Sequence, residues 1–198
     1  MYAKKMNNGG LEMSVELQKR PFSVDEYYQM AESGILTESD RVELIEGEIV
    51  QMTPIGSRHG ACVKKLIKVF TNMIGGEEIL SVQDAVRLDE FSEPEPDIAL
   101  LKERDDFYAE SHPGPGDVLL IVEVADASVR YDREVKVPLY AKAGIPEVWL
   151  VNLPDKSIET YRKPVESGYA ETSILRKGQV LSPTAFSELE IRVEEILV

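Results

Sequence analysis

The feature that most constrains this chain is the run 118–122, Val-Leu-Leu-Ile-Val, followed at once by Glu123 and Val124. Five consecutive apolar residues describe a strand covered on both faces, so the run belongs near the centre of a sheet. A second apolar run, 147–153, contains the single tryptophan, Trp149. Between the two, Val135, Leu139 and Ala143 recur at helical spacing and Gly144 supplies a stop. A strand, helix, strand unit of this kind has parallel flanking strands joined by a right-handed crossover. Pro138 falls inside the helical span, and proline is tolerated only in a first turn or at a kink. The sequence therefore predicts that the helix begins at Pro138, after a separate turn.

Around this unit the chain reads as mixed α and β structure. Ser23 and Glu26 have capping-box spacing ahead of a short helix that Gly34 ends. Residues 41–45 and 48–52 flank Glu46-Gly47, the pattern of a β-hairpin. From 57 to 74 the positions Cys62, Val63, Leu66, Phe70 and Met73 form the apolar face of a helix, with Lys64, Lys65 and Lys68 opposite. Further strands are predicted at 79–88, 96–101, 158–162 and 169–175. No internal repeat or low-complexity tract divides the chain. The reading is one domain over 21–198 preceded by a loose tail over 1–20.

Charge limits the functional classes. Among 198 residues, 22 are Lys or Arg and 36 are Asp or Glu, a formal charge of −14, which opposes coating of nucleic acid or an anionic membrane by net charge. The distribution is uneven. Residues 53–76 contain no acid but carry Arg58, His59 and the three lysines, whereas 81–110 hold ten acids against Arg87, Lys102 and Arg104. One cysteine, Cys62, on an apolar helix face, supplies neither a disulfide nor a thiolate zinc cluster. No apolar run reaches the roughly 20 residues of a membrane-spanning helix, and the N-terminus lacks the apolar segment of a signal peptide. A soluble, cytoplasmic protein is expected, with no membrane partner.

Two acids stand where a purely structural sequence rarely needs them. Asp97 follows Pro96 at the start of an apolar run, and Glu123 interrupts another. By alternation Glu123 shares a face with Ile121 and Leu119, so its carboxylate lies over a partly buried surface and needs a metal ion, a lysine or backbone donors. Each also has an ordinary reading, Asp97 as a turn residue and Glu123 as a strand-end carboxylate. Lys136 reads as a solvated helix lysine, Glu43 as the polar side of a half-exposed strand, and His59 as an exposed residue at a helix start. Phosphate-binding glycine loops and a Gly-x-Ser-x-Gly elbow are missing from the sequence. A carboxylate site for a hard cation is the chemistry left.

The segments 120–128, 130–136 and 138–151, together with 42–48, Met52-Thr-Pro54 followed by His59, and Pro96-Asp-Ile98, resemble the Uma-two type family of restriction endonucleases in the PD-(D/E)XK nuclease-like superfamily. The resemblance runs from about Phe22 to the C-terminus. It implies an α/β (α+β mixed) fold with a restriction-endonuclease-like core: a mixed β-sheet flanked by helices, with an added N-terminal hairpin. It also implies that Asp97 and Glu123 meet on adjacent strands as ligands of Mg²⁺ or Mn²⁺, that Glu43 can join them, and that Lys136 completes the catalytic set. The superfamily lysine two residues after the second acid is replaced here by Ala125, and Ala127 stands where the family often has serine.

The expected activity is metal-dependent hydrolysis of DNA phosphodiesters by a homodimer. Arg58, His59, Lys64, Lys65, Lys68 and Arg130, joined by Arg133, are the candidate contacts to nucleic acid, in a weak and salt-sensitive complex. Two other classes compete: a catalytically degenerate protein that uses the fold for binding or assembly, favoured by Ala125 and the acidic charge, and a hydrolase of some smaller phosphate ester.

Overall fold

The computed structural model describes residues 19–37, 39–75 and 78–198, so most of the tail expected over 1–20 lies outside the described residues. A six-stranded mixed sheet runs β3 (Glu78–Val82), β4 (Ile98–Lys102), β5 (Val118–Ala125), β6 (Glu147–Asn152), β7 (Ser157–Val165) and β8 (Gly168–Arg176), in that spatial order. The apolar run lies in β5, an interior strand, and β5 and β6 are the parallel pair. The other neighbours pair antiparallel. Outside this sheet, α1 (Val24–Glu32) precedes the hairpin of β1 (Val42–Ile45) and β2 (Glu48–Gln51), and α2 (Ser57–Met73) follows it.

Two apolar layers cover the sheet. On one face Cys62, Leu66 and Phe70 of α2 pack on Leu120, Val122 and Trp149, with the Phe70 and Trp149 ring centroids 5.9 Å apart. On the other, Ile121 and Val148 meet Ile45 of the hairpin and Val137 and Tyr140 of the crossover helix. The two periodicities of β5 thus feed two cores, the physical reason its apolar residues are continuous. The sequence did not foresee the C-terminal closure of the first layer, a two-stranded β9 (Val180–Leu181) and β10 (Ile191–Arg192) followed by α5 (Val193–Ile196).

Three expectations are corrected. The strand predicted over 79–88 ends at Val82, because Gln83 takes a left-handed conformation (φ 52°) and residues 86–94 form their own loop, closed by Val86 N–H to Pro94 O (2.9 Å) and Leu88 N–H to Ser92 O (2.9 Å). The crossover helix does not begin at Pro138. It starts as α3 (Val129–Tyr131), passes through a π turn over Asp132–Lys136 and continues as α4 (Val137–Lys142). The Val137 N–H bonds Asp132 O, five residues back, and this wider turn carries the helix past a proline that has no N–H to give. Finally, Leu119 does not share a face with Glu123. A bulge opposite Leu100 and Leu101 shifts the register there, and Leu119 packs with the α2 layer while Ile121 stays on the Glu123 side.

The hairpin turn is tight because Glu46 (φ 49°) and Gly47 (φ 77°) both lie in the left-handed region that a two-residue turn requires. Bonds from Phe22 N–H to Gly47 O (2.9 Å), Gly47 N–H to Phe91 O (2.7 Å) and Glu93 N–H to Leu44 O (2.8 Å) dock the hairpin against the loop before β4. That docking brings Glu43 over the sheet. Among the described residues no helix is long and apolar enough to cross a membrane.

Candidate active site

The site begins with the pairing of β4 and β5. Their antiparallel register sets Ile98 against Val122, so one step beyond the ladder Asp97 stands opposite Glu123, on the same face as Ala99 and Ile121. The Asp97 carboxylate is tied down by three groups: Val124 N–H and His59 Nε2 donate to Oδ2 (2.9 and 3.0 Å), and Gln83 Nε2 donates to Oδ1 (3.1 Å). The early end of β3 therefore has a consequence at the site, since it frees Gln83 to hold Asp97.

Lys136 and Tyr140 reach the same face from the crossover helix. Lys136 Nζ lies 2.9 Å from Glu43 Oε2 and 3.2 Å from Glu123 Oε1, and Tyr140 OH donates to Glu123 Oε1 (2.6 Å). Lys136, Glu43 and Glu123 are all buried. The solvated helix lysine read from sequence is thus a buried bridge between two carboxylates, because the π turn and the packing of α4 turn it onto the sheet. Glu43 likewise is buried rather than on the polar side of a half-exposed strand, and its Oε2 also accepts from Glu95 N–H (3.2 Å).

Electrostatics follow from burial with too few cations. A cavity of about 490 Å³ is lined by Glu43, Glu95, Asp97, Glu123, Asp126 and Asp132, against Arg41 and Lys136. Burial pushes the Glu123 carboxyl up to about 8, with the charges of Asp132 and Asp97 adding to it and Lys136 and Tyr140 only partly offsetting it. Burial also raises Asp132, which Ser128 Oγ contacts at 2.7 Å, and Glu95, which Glu43 raises further. For Lys136, burial acts to lower the ammonium, but Glu123, Glu43 and Asp132 outweigh it and hold it above the ordinary lysine value. His59 is raised by its bond to Asp97 against the effect of burial.

His59 is therefore not the exposed cap residue expected; its side chain is only 14% exposed, and it belongs to the site. Its Nδ1 and the hydroxyl of Tyr131 are buried and have no hydrogen-bond partner among the described residues. Asp132, Tyr140, Gln83 and Glu95 are further site residues that sequence reasoning missed. The one available signal was helical: Asp132, Lys136 and Tyr140 recur every four residues, on one side of the crossover helix.

The candidate nucleic-acid contacts scatter. Arg58 is exposed near the mouth, its guanidinium donating to Leu153 O (3.2 Å) and lying 3.9 Å from Asp126. Lys64 is exposed. Lys65 bonds Leu197 O and, with Lys68, faces Glu190, Glu194 and Glu195 across a separate groove. Arg130 pairs with Glu134 (2.9 Å) and Arg133 with Glu159 (2.9 Å). The structure does not gather these cations into one patch.

Oxygen-only donors with unbalanced negative charge suit a hard divalent cation. Among the described residues, however, no three His, Cys, Asp or Glu side chains converge into a ready-made cage. The donor set fits such an ion in chemistry and charge, with Asp97 and Glu123 opposite one another on adjacent strands and Glu123 Oε2 free of any hydrogen bond among the described residues.

No curated protein matches the chain. The fold is similar to the crystal structure of a "putative nuclease belonging to DUF820" from Anabaena variabilis, with a TM-score of 0.69 and 15% identity over 89% of this chain and 97% of that one. At that identity the likeness is one of fold. The family model described as Uma2, "Putative restriction endonuclease", matches residues 24–194, nearly all of the described chain, and the chain belongs to that family.

Proposed function

We propose that this chain is a metal-dependent endonuclease that hydrolyses DNA phosphodiester bonds, with residues 21–198 acting as one catalytic domain and two copies as the working unit. The observation that carries the reading is the juxtaposition of Asp97 and Glu123 by strand register with the Lys136 ammonium 3.2 Å from Glu123. Asp97 and Glu123 would hold Mg²⁺ or Mn²⁺, with Glu43 assisting. Such an ion, when bound, neutralises a non-bridging phosphate oxygen and lowers the pKa of an attacking water.

The rest of the chemistry is the protein's own. Lys136 stays charged between its two carboxylates and supplies a fixed positive group for the charge that builds on phosphorus oxygens in the transition state. It substitutes from the helix for the lysine that Ala125 cannot provide. Tyr140 fixes the Glu123 carboxylate by its 2.6 Å bond, and His59 and Gln83 fix Asp97. Burial keeps bulk water from screening these groups.

A second reading is favoured by one observation: both oxygens of Asp97 already accept bonds from protein groups, and the molecule carries −14. On that reading the chain keeps the fold for binding or assembly. Nicking of supercoiled and single-stranded DNA in Mg²⁺ or Mn²⁺ separates the two. Cleavage by the parent that is lost in Asp97→Asn and Glu123→Gln supports the nuclease. Cleavage that survives both places the activity elsewhere, and no cleavage of any nucleic acid favours the binding module.

A further inference from the structure

The reacting groups are too buried, and the lining of their cavity is too acidic, for a paired duplex. Lys136, Glu43 and Glu123 have side chains only 6%, 4% and 5% exposed. They line a cavity together with residues 51–56 and with Ala127, Ser128 and Tyr131. A duplex is a stiff rod that carries its phosphates on its outer surface and requires a row of cations along both backbones. Among the described residues the exposed cation lining the cavity is Arg41, with Arg58 nearby beside Asp126 and Leu153 O, while Arg130, Arg133 and Lys65 are engaged with other groups of the protein.

Other lining residues have a different character from these charged groups. Met52, Pro54 and Ile55 present apolar surface, and Ile55 is 42% exposed although it is a large aliphatic residue. Tyr131 lines the same cavity. A volume of about 490 Å³ is within the range of small-molecule sites, about 300–1,000 Å³, and is of the size to take one nucleotide rather than a groove-bound helix. Stacking on an aromatic ring is how proteins hold an unpaired base without reading its sequence.

We infer that the site takes an unpaired strand, a single strand, flap or frayed end, from which one nucleotide enters the cavity with its base against Tyr131, Met52, Pro54 and Ile55. The inference rests on the nuclease reading and adds the form of its substrate. Inserting one nucleotide brings its phosphate down to Lys136 and the two carboxylates, and leaves the flanking phosphates to Arg41 and Arg58.

The experiment uses three substrates in Mn²⁺: bis(4-nitrophenyl) phosphate, a blunt fully paired duplex, and the same duplex with a six-nucleotide single-stranded flap. Anisotropy of a labelled single strand is measured in parallel with Ile55→Asp and Tyr131→Ala. The expected result is hydrolysis of the small diester, cutting within the flap at least tenfold faster than within the paired region, and a five- to tenfold loss of single-strand affinity in each variant. Ile55 is exposed, so its variant keeps the fold. If the small diester is hydrolysed but paired and unpaired DNA are cut equally, or if neither variant weakens single-strand binding, the inference is overturned and the nuclease reading stands. If neither the small diester nor any strand is cleaved, the nuclease reading falls and takes the inference with it.

Discussion

Lys136 is the residue on which the site's stability turns. Lys136 places one buried ammonium between Glu43 and Glu123, and removing it leaves two buried carboxyl groups without their cation. Lys136→Met is expected to cost about 3–5 kcal/mol in urea unfolding, and adding Glu43→Gln and Glu123→Gln to it to restore most of that loss. Glu123 behaves in the opposite sense. Its carboxyl is raised to about 8, above its unfolded value, so the folded state holds the extra proton between roughly pH 4.5 and 8 and stability falls as pH rises through that window. Glu123→Gln should flatten this fall in metal-free protein, leaving Tm at pH 8 no lower than the parent's, while DNA cleavage drops at least ~100-fold. A Tm at pH 8 well below the parent's would show that the carboxylate stabilises the fold rather than burdening it.

At the scale of elements, the hairpin and the crossover helix place the side chains. A Cβ on Gly47 would lie 2.3 Å from Pro21 Cβ, and the residue needs φ 77°, so Gly47→Ala combines a clash with backbone strain. Destabilisation of about 2 kcal/mol is expected, with reduced cleavage because Glu43 rides on the same hairpin; an unchanged denaturation midpoint would refute it. The crossover helix is tied to the sheet by Arg133, whose Nε donates to Glu159 Oε2 (2.9 Å), and Tyr161 donates to the same carboxylate (2.6 Å). Burial acts to raise Glu159, but the bonds from Arg133, Tyr161 and Asn152 together outweigh it and leave it below its ordinary value. The stability it contributes is present above its unfolded pKa and is lost as pH falls through the lower folded value. Arg133→Ala should therefore lower Tm at pH 6 and shrink the loss between pH 5 and 3, as read by thermal melts across that range.

For the whole molecule, the surplus of carboxylates in one cavity means that a divalent cation bound there stabilises the folded state by mass action, about 2.7 kcal/mol at a hundred times its Kd. Mn²⁺ should raise Tm by several degrees in the parent and not in the Asp97→Asn, Glu123→Gln double variant, whereas an equal rise in both would place the ion elsewhere. The overall charge of −14 and the dispersal of the basic residues predict a shallow salt dependence of DNA binding. A slope of log K against log salt near −2 to −3 corresponds to only two or three phosphates neutralised on duplex DNA, and a much steeper slope would show that more cations engage the backbone than the described residues bring together.

The sequence by itself determined the layered architecture. A continuous apolar run must be buried on both faces, and the helix-spaced residues between it and the Trp149 run force a parallel crossover, as β5 and β6 show. The resemblance carried by residues 42–48, 96–98 and 120–151 implies Asp97, Glu123, Glu43 and Lys136 as a set. Tertiary structure alone decided how they meet. His59 reads as a cap residue until the start of α2 is set beside β4, and Lys136 reads as solvated until the π turn seats it on the sheet. Periodicity reports which face of an element is apolar, because that depends on neighbours a few residues apart. Which buried charge answers which, and whether a run of lysines is a patch or a set of local ion pairs, depends on contacts between residues distant in the chain, and these exist only once the layers have packed.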